Sequence, residues 1–316
     1  MNVLEKIAQT GILPVIKIED VSKAVPLADA LRKGGINAIE VTARSEAAFD
    51  AISAIKSAFP DMAVGAGTIL STELVDRAIN AGAEYCVAPG FNPKTGSYCI
   101  GKGLPIVPGC SSTSDLELAN EAGLETVKFF PAEANGGVEA LKLLNGPFPK
   151  LKFVPTGGVN FDNIGSYLKL KCVAACGGSY MAKADLIRDG KWDVITANCR
   201  KALDISLGFT LAHVGFNHGS SEEAAKTAEL LCRMFRLNPD PRSKCTFAGP
   251  YFENMNFKFY GEKGHIGIRS NSIRRAVAYL ESQGFEFNQD SCQYKNGELT
   301  CIYLKDEIAG FAFHII

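Results

Sequence analysis

Eight short β-rich apolar runs, separated by amphipathic stretches, fill the first two thirds of the chain and restrict its fold more than any other feature. The runs are Ile12 to Ile18, Ile36 to Ala43, Ala63 to Thr68, Tyr85 to Gly90, Pro105 to Cys110, Thr126 to Pro131, Lys152 to Gly157 and Val173 to Gly178. Between them, stretches such as Val21 to Leu31 repeat apolar residues at intervals of three and four, the spacing of a helix with one buried face. Such alternation predicts repeated βα units around a parallel sheet. Eight units roughly twenty residues apart fit a (β/α)8 TIM barrel better than an open doubly wound sheet. Asn2 to Gln9 reads as an additional N-terminal helix.

A barrel gathers its chemistry at the C-terminal ends of its strands, where the loops converge on one mouth. Strand six, Thr126-Val127-Lys128-Phe129-Phe130-Pro131, surrounds a lone lysine with valine and phenylalanine. An ammonium group is hard to solvate there, which frees the amine to attack a carbonyl. The alternative is a stem packed in the strand with its head reaching water. Strand two ends Ile39-Glu40-Val41-Thr42-Ala43-Arg44, a carboxylate inside an apolar strand with a guanidinium just beyond. Glu40 can serve as acid and base, or simply pair with Arg44 four residues on. Strand three brings Thr68 to the mouth and strand four brings Pro89. Strands seven and eight end in glycine pairs, Gly157-Gly158 and Gly177-Gly178, the second followed by Ser179. Paired glycines let backbone N–H groups approach an anion, and these two strand ends are where barrels bind phosphate. A phosphorylated substrate is expected.

Charge excludes other classes. With 33 basic and 34 acidic residues scattered along the chain, no basic block offers a footprint for nucleic acid or an anionic membrane. No apolar run reaches the roughly 18 residues of a membrane span. The start, Met1 to Lys6, lacks the layout of a signal peptide, so a cytoplasmic protein acting on small molecules is expected. The ten cysteines show no C-x-x-C pair and read as reduced core residues, not a disulfide framework or a zinc site.

Residues 1–206 resemble the 2-dehydro-3-deoxy-phosphogluconate / 4-hydroxy-2-oxoglutarate aldolase family. The resemblance is carried by Pro14-Val15-Ile16, Glu40-Val41-Thr42, Gly65-Ala66-Gly67-Thr68, Pro108-Gly109, the run from Val127 to Gly137, Pro155-Thr156-Gly157-Gly158 and Gly177-Gly178-Ser179. It implies a class I aldolase on a (β/α)8 barrel, commonly trimeric, of Entner–Doudoroff carbohydrate metabolism, with no required cofactor. Carried over by position, Lys128 is the Schiff-base lysine and Glu40 the proton shuttle. Arg44 and Thr68 hold the substrate carboxylate, and Pro89 and Phe130 pack the pyruvyl part. Gly157, Gly158, Gly177, Gly178 and Ser179 bind phosphate. The implied reaction cleaves 2-dehydro-3-deoxy-6-phosphogluconate to pyruvate and glyceraldehyde 3-phosphate, with cleavage of 4-hydroxy-2-oxoglutarate to pyruvate and glyoxylate as a second activity. The galactonate epimer is the alternative substrate. Ala43 and Tyr180 depart from the common pattern and reshape the pocket, so the preferred 2-oxo acid is less constrained than the reaction type.

Residues 207–316 start a new pattern with an internal echo. Ala212-His213-Val214-Gly215-Phe216, followed by a helix from Glu222 to Phe235, is matched 52 residues later by Gly264-His265-Ile266-Gly267-Ile268, followed by a helix from Ser272 to Gln283. Closing strands are expected at Met255 to Tyr260 and Ala309 to Ile316. Two βαβββ modules of this kind resemble the vicinal oxygen chelate (glyoxalase-like) superfamily. The resemblance implies a metal held by the first and last strands of each module, and His213, His265 and His314 sit on three such strands. Alternation along the expected strand puts Asn254, Asn256, Lys258 and Tyr260 on one face and Glu253 on the other, so no fourth ligand is expected. Three neutral histidines can hold a divalent metal such as zinc with an open position. The alternative is strand histidines satisfied by hydrogen bonds. On this reading the domain serves ligand sensing or subunit contact. A competing view of the whole chain is a ligand-binding or regulatory protein centred on this domain.

Overall fold

The computed structural model describes residues 2–316, in two compact units that divide between Ser206 and Leu207. Asn2 caps the first helix, Val3–Thr10, by accepting from the Glu5 N–H, while Glu5 accepts from Asn2 in return. Gly11, at φ 71°, ends the helix in the left-handed conformation that glycine adopts without strain. The helix lays Ile7, with Val3 and Leu4, on a cluster that includes Leu13, Tyr85, Val107 and Val154.

Nine strand segments follow: β1 (Ile12–Ile16), β2 (Ala38–Thr42), β3 (Ala63–Gly67), β4 (Tyr85–Val87), β5 (Ile106–Val107), β6 (Gly109–Cys110), β7 (Thr126–Phe129), β8 (Lys152–Phe153) and β9 (Cys176–Gly178). All pairs among them are parallel. The ladders run β5-β4-β3-β2-β1-β9 and β6-β7-β8, with single bridges at Phe153–Val173 and Thr156–Gly177. The result is a curled parallel sheet of TIM-barrel-like type. Every residue of β2 and β3 is buried, as expected when helices cover a parallel sheet. The expected fifth strand is split into β5 and β6 at Pro108, which has no N–H to give to a ladder. Its carbonyl still accepts from the Lys128 N–H at 2.8 Å.

The second unit runs β10 (Thr210–Asn217), a helix Ser221–Phe235, β11 (Pro239–Pro241), β12 (Cys245–Ala248) and β13 (Phe252–Met255). The same order returns as β14 (His265–Arg269), a helix Ile273–Ser282, β15 (Phe287–Lys295), β16 (Glu298–Leu304) and β17 (Ala312–Ile315). All eight strands form one sheet in the order β11-β12-β13-β10-β14-β17-β16-β15. At its centre β10 and β14 are antiparallel, and each is flanked by a parallel strand, β13 or β17.

One expectation fails here: the closing strand of the first half ends at Met255 instead of extending to Tyr260. Beyond it the rings of Phe259 and Tyr260 turn onto each other and onto Tyr303, so residues 256–260 lose the alternation of a strand. Nine of the ten cysteines are buried and all are free thiols. Among the described residues no helix is long and apolar enough to cross a membrane.

Candidate functional site

Lys128 on β7 and Glu40 on β2 meet inside the curled sheet, with Nζ 3.3 Å from Oε1 and 3.5 Å from Oε2. Both are buried, Lys128 at 6% exposure and Glu40 at 1%. Glycine makes the meeting possible. A Cβ at Gly67, on neighbouring β3, would lie 2.2 Å from Glu40 Oε1. Glu40 therefore pairs with Lys128 and not with Arg44, whose Nε donates to Thr42 Oγ1 at 3.3 Å instead.

The other residues singled out from the sequence surround this pair at different removes. The Phe130 ring lies 5.3 Å from Lys128 Nζ, and a Cβ at Gly157 would come within 3.3 Å of that ring. Phe130 thus runs from the lysine to the first glycine pair. Pro89 is exposed one step out, its carbonyl set against Gly109, which stands opposite Lys128 in the β6–β7 register. Gly157 and Gly158 have φ values of 94° and 84°, and their N–H groups have no partner among the described residues. Consecutive free N–H groups are able to accept an anion when they converge. Gly177 lies beside Thr156 across the Thr156–Gly177 bridge, Gly178 backs onto the Tyr180 ring, and Ser179 is exposed.

Thr68 follows Gly67 at φ 61°, a conformation that a β-branched residue adopts only under strain. Thr68→Gly is expected to raise the stability of this unit by about 1 kcal/mol, read as a higher thermal unfolding midpoint.

The second unit holds its own cluster, and it corrects the expectation about Glu253. Glu253 Oε2 lies 3.2 Å from His213 Nε2 and 3.1 Å from His265 Nε2, while His314 Nε2 lies 3.1 Å from His213 Nε2. The register explains this convergence. Gly215 pairs with Glu253 on one side and His265 on the other; Gly267 pairs with His213 and His314. Two rows of acid–glycine–histidine and histidine–glycine–histidine therefore share one face. A Cβ at Gly215 would sit 2.0 Å from His265 Cε1, and one at Gly267 would sit 2.5 Å from His314 Nε2. The two His-x-Gly repeats clear the space their own imidazoles need. Glu253 and Asn254 do lie on opposite faces of β13, but the register that sets Glu253 opposite Gly215 turns the Glu253 face, not the Asn254 face, toward the histidines.

Burial pulls the Glu253 carboxyl upward, but hydrogen bonds with His213, His265 and Cys245 and the charge of His265 outweigh it and hold it well below the usual carboxylate range. Burial, followed by the neighbouring His213 and His265, lowers His314 to about 3, so it stays neutral. Cys301 Sγ lies 3.3 Å from His314 Nδ1, and His265 Nδ1 is buried with no partner. The three histidines can place their ligand atoms within 4.8 Å of one another. Neighbouring nitrogen and oxygen atoms 3.1 to 3.2 Å apart, on three imidazoles and one carboxylate, fit a shared divalent cation.

Residues 3–198 match the profile of the family described as Aldolase: KDPG and KHG aldolase. The 2-dehydro-3-deoxy-phosphogluconate aldolase of Haemophilus influenzae is 42% identical over 204 residues, covering 65% of this chain and 96% of that protein. The KHG/KDPG aldolase of Escherichia coli K12 is 42% identical over 201 residues, covering 63% of this chain and 94% of that protein. A KDPG aldolase from Legionella pneumophila, solved with pyruvate captured as a covalent carbinolamine intermediate, superposes with a TM-score of 0.62 at 36% identity. It covers 64% of this chain and 98% of that one.

Proposed function

The chain belongs to the KDPG and KHG aldolase family, and from that premise we propose that it cleaves 2-dehydro-3-deoxy-6-phosphogluconate to pyruvate and glyceraldehyde 3-phosphate through a Schiff base on Lys128. The observation that carries this reading is the buried Lys128–Glu40 pair at 3.3 Å. Lys128 Nζ adds to the 2-oxo carbon, and loss of water gives an iminium. The iminium nitrogen withdraws the electron pair of the C3–C4 bond, so cleavage leaves an enamine on the lysine and releases the aldehyde. Glu40 is placed to take the proton that Lys128 sheds on attack, to pass it to the departing carbinolamine hydroxyl, and then to take the proton of the C4 hydroxyl and return it to C3 of the enamine. Protonation of the enamine at C3 and hydrolysis release pyruvate and restore the amine. The electron sink is the iminium itself, so this cleavage calls on no metal.

In the same reading Arg44 and Thr68 hold the substrate carboxylate, Pro89 and Phe130 pack the pyruvyl group, and the N–H groups of Gly157 and Gly158, with Gly177, Gly178 and Ser179, take the phosphate. The free N–H groups of Gly157 and Gly158 support the phosphate assignment. The shorter 4-hydroxy-2-oxoglutarate is a second substrate, and the family resemblance points to a trimer. Incubation with pyruvate, borohydride reduction and peptide mass spectrometry test the proposal. An adduct on Lys128 is expected; its absence would remove the class I mechanism. Steady-state kcat/KM on the gluconate and galactonate epimers decides between those substrates, with the gluconate form expected to be higher.

Convergence of Glu253 with three histidines favours a second reading for residues 207–316. The repeated order of strand, helix and three strands supports two βαβββ modules of vicinal oxygen chelate type, with residues 1–206 as the aldolase domain. His213, Glu253, His265 and His314 would hold a divalent metal, and a metal bound there supplies a Lewis acid.

A further inference from the structure

Glu133 lies on the loop that follows β7, exposed and five residues beyond the reacting lysine. Its backbone N–H donates to Gly157 O at 3.1 Å, and the preceding Ala132 N–H donates to Thr156 O at 2.8 Å. The chain leaving Lys128 is thereby stitched along the first glycine pair. The Glu133 side chain then crosses Gly158 so closely that a Cβ there would stand 2.5 Å from Glu133 Cγ. Its carboxylate accepts from the hydroxyl of Tyr167, a fully buried residue. Burial first, then the bond to Glu133, pushes that hydroxyl well above its ordinary value, so it remains a donor throughout the physiological range. Gly137, at φ 60°, leaves room for this contact, since a Cβ there would lie 3.2 Å from Glu133 Oε1 and 3.3 Å from the Tyr167 oxygen.

The opposite side of the loop is fastened as well. Asn160 and Asn163 both donate through Nδ2 to Gly158 O, at 3.2 and 3.1 Å. Each glycine is thus tied down by its carbonyl, while both N–H groups stay free. The carboxylate needs the same discipline. Loose beside a site for phosphate it would repel the incoming anion, whereas held on a buried tyrosine it is kept to one side and braces the loop.

We propose that Glu133 and Tyr167 form a positioning pair that fixes the Gly157–Gly158 loop in its anion-accepting shape and so sets the preference for phosphorylated 2-oxo acids. This inference rests on the phosphate reading of that loop. Neither residue touches the reacting carbon, so the pair acts on binding of the phosphorylated end and leaves the Lys128 chemistry alone.

The test uses the full chain, with Tyr167→Phe, Glu133→Ala and Glu133→Gln beside the wild type. Three readouts are compared: kcat and KM for 2-dehydro-3-deoxy-6-phosphogluconate, competitive inhibition by inorganic phosphate, and borohydride trapping of pyruvate, which carries no phosphate. Tyr167→Phe and Glu133→Ala are expected to raise KM and the phosphate inhibition constant by about tenfold, the scale of one lost hydrogen bond, with kcat and pyruvate trapping within about twofold of wild type. Glu133→Gln keeps an oxygen for the tyrosine and should stay near wild type. Equal losses in pyruvate trapping and in KM would make the role merely structural and overturn the inference. Unchanged KM and phosphate inhibition in Tyr167→Phe and Glu133→Ala would overturn it too, while leaving the phosphate reading intact. If phosphate fails to compete in the wild type, the phosphate reading itself fails and the inference falls with it.

Discussion

Lys128→Ala is expected to lower cleavage by at least ~10⁴-fold and to abolish the borohydride-trapped pyruvate adduct, as loss of a covalent nucleophile should. No other amine is ion-paired with Glu40 among the described residues, so no neighbour inherits the chemistry. The substitution also has a structural cost that must be separated from the chemical one. Glu40 is 1% exposed, and its ion-pair partner disappears. A buried carboxylate deprived of its partner costs about 3 to 5 kcal/mol unless it takes up a proton. Lys128→Met, which keeps most of the side-chain volume, therefore belongs in the same experiment. A folded Lys128→Met protein with wild-type cleavage would dismiss the Schiff-base reading. Glu40→Gln completes the comparison: cleavage is expected to fall by about 10² to 10⁴-fold, while slow trapping of pyruvate on Lys128 persists because the nucleophile remains.

Different parts of this molecule were legible for different physical reasons. The strands of the first unit announce themselves because a parallel sheet covered on both faces needs continuous apolar runs, and that composition survives without any tertiary information. Lys128 stands out for the same reason, as a charged residue in such a run. Its partner is harder to see. Glu40 lies 88 positions away, and the sequence alone offers Arg44 as an equally good mate. Only the facing of β2 and β7 across the sheet interior, with Gly67 making room, decides between them. The second unit shows the converse. The His-x-Gly echo was visible as a repeat, but its meaning lay in the β10–β14 register, which sets each glycine beneath the other half's imidazole. Glu253 is hidden in the sequence because nothing there says which face of the closing strand turns toward the histidines. Side-chain facing has a period of two, so taking the Asn254 face as the inner one excludes Glu253, and only the β10–β13 register, with Gly215 opposite Glu253, decides between the faces.

The metal reading of the second unit carries the other large effect. The full chain, purified without chelators and offered zinc or cobalt, is expected to retain one divalent ion per protein and to lose it to a chelator. A ligand that binds only the folded form stabilises it by about 4 kcal/mol at a thousand times its Kd, so chelation should lower the unfolding midpoint of this unit. Glu253→Gln, which removes the one anionic donor, should weaken binding by at least ~100-fold. Gly215→Ala is the more searching variant, because alanine brings no ligand and removes none. Its Cβ would stand 2.0 Å from His265 Cε1, so the imidazole must swing away and the site should lose metal almost completely. A protein in which Gly215→Ala bound metal as tightly as the wild type would show that His265 is not a ligand. Metal-free wild type, even in excess zinc, would leave the cluster as four mutually hydrogen-bonded side chains. Pyruvate trapping on Lys128 serves as the internal control, since the iminium supplies its own positive charge and should be indifferent to the chelator.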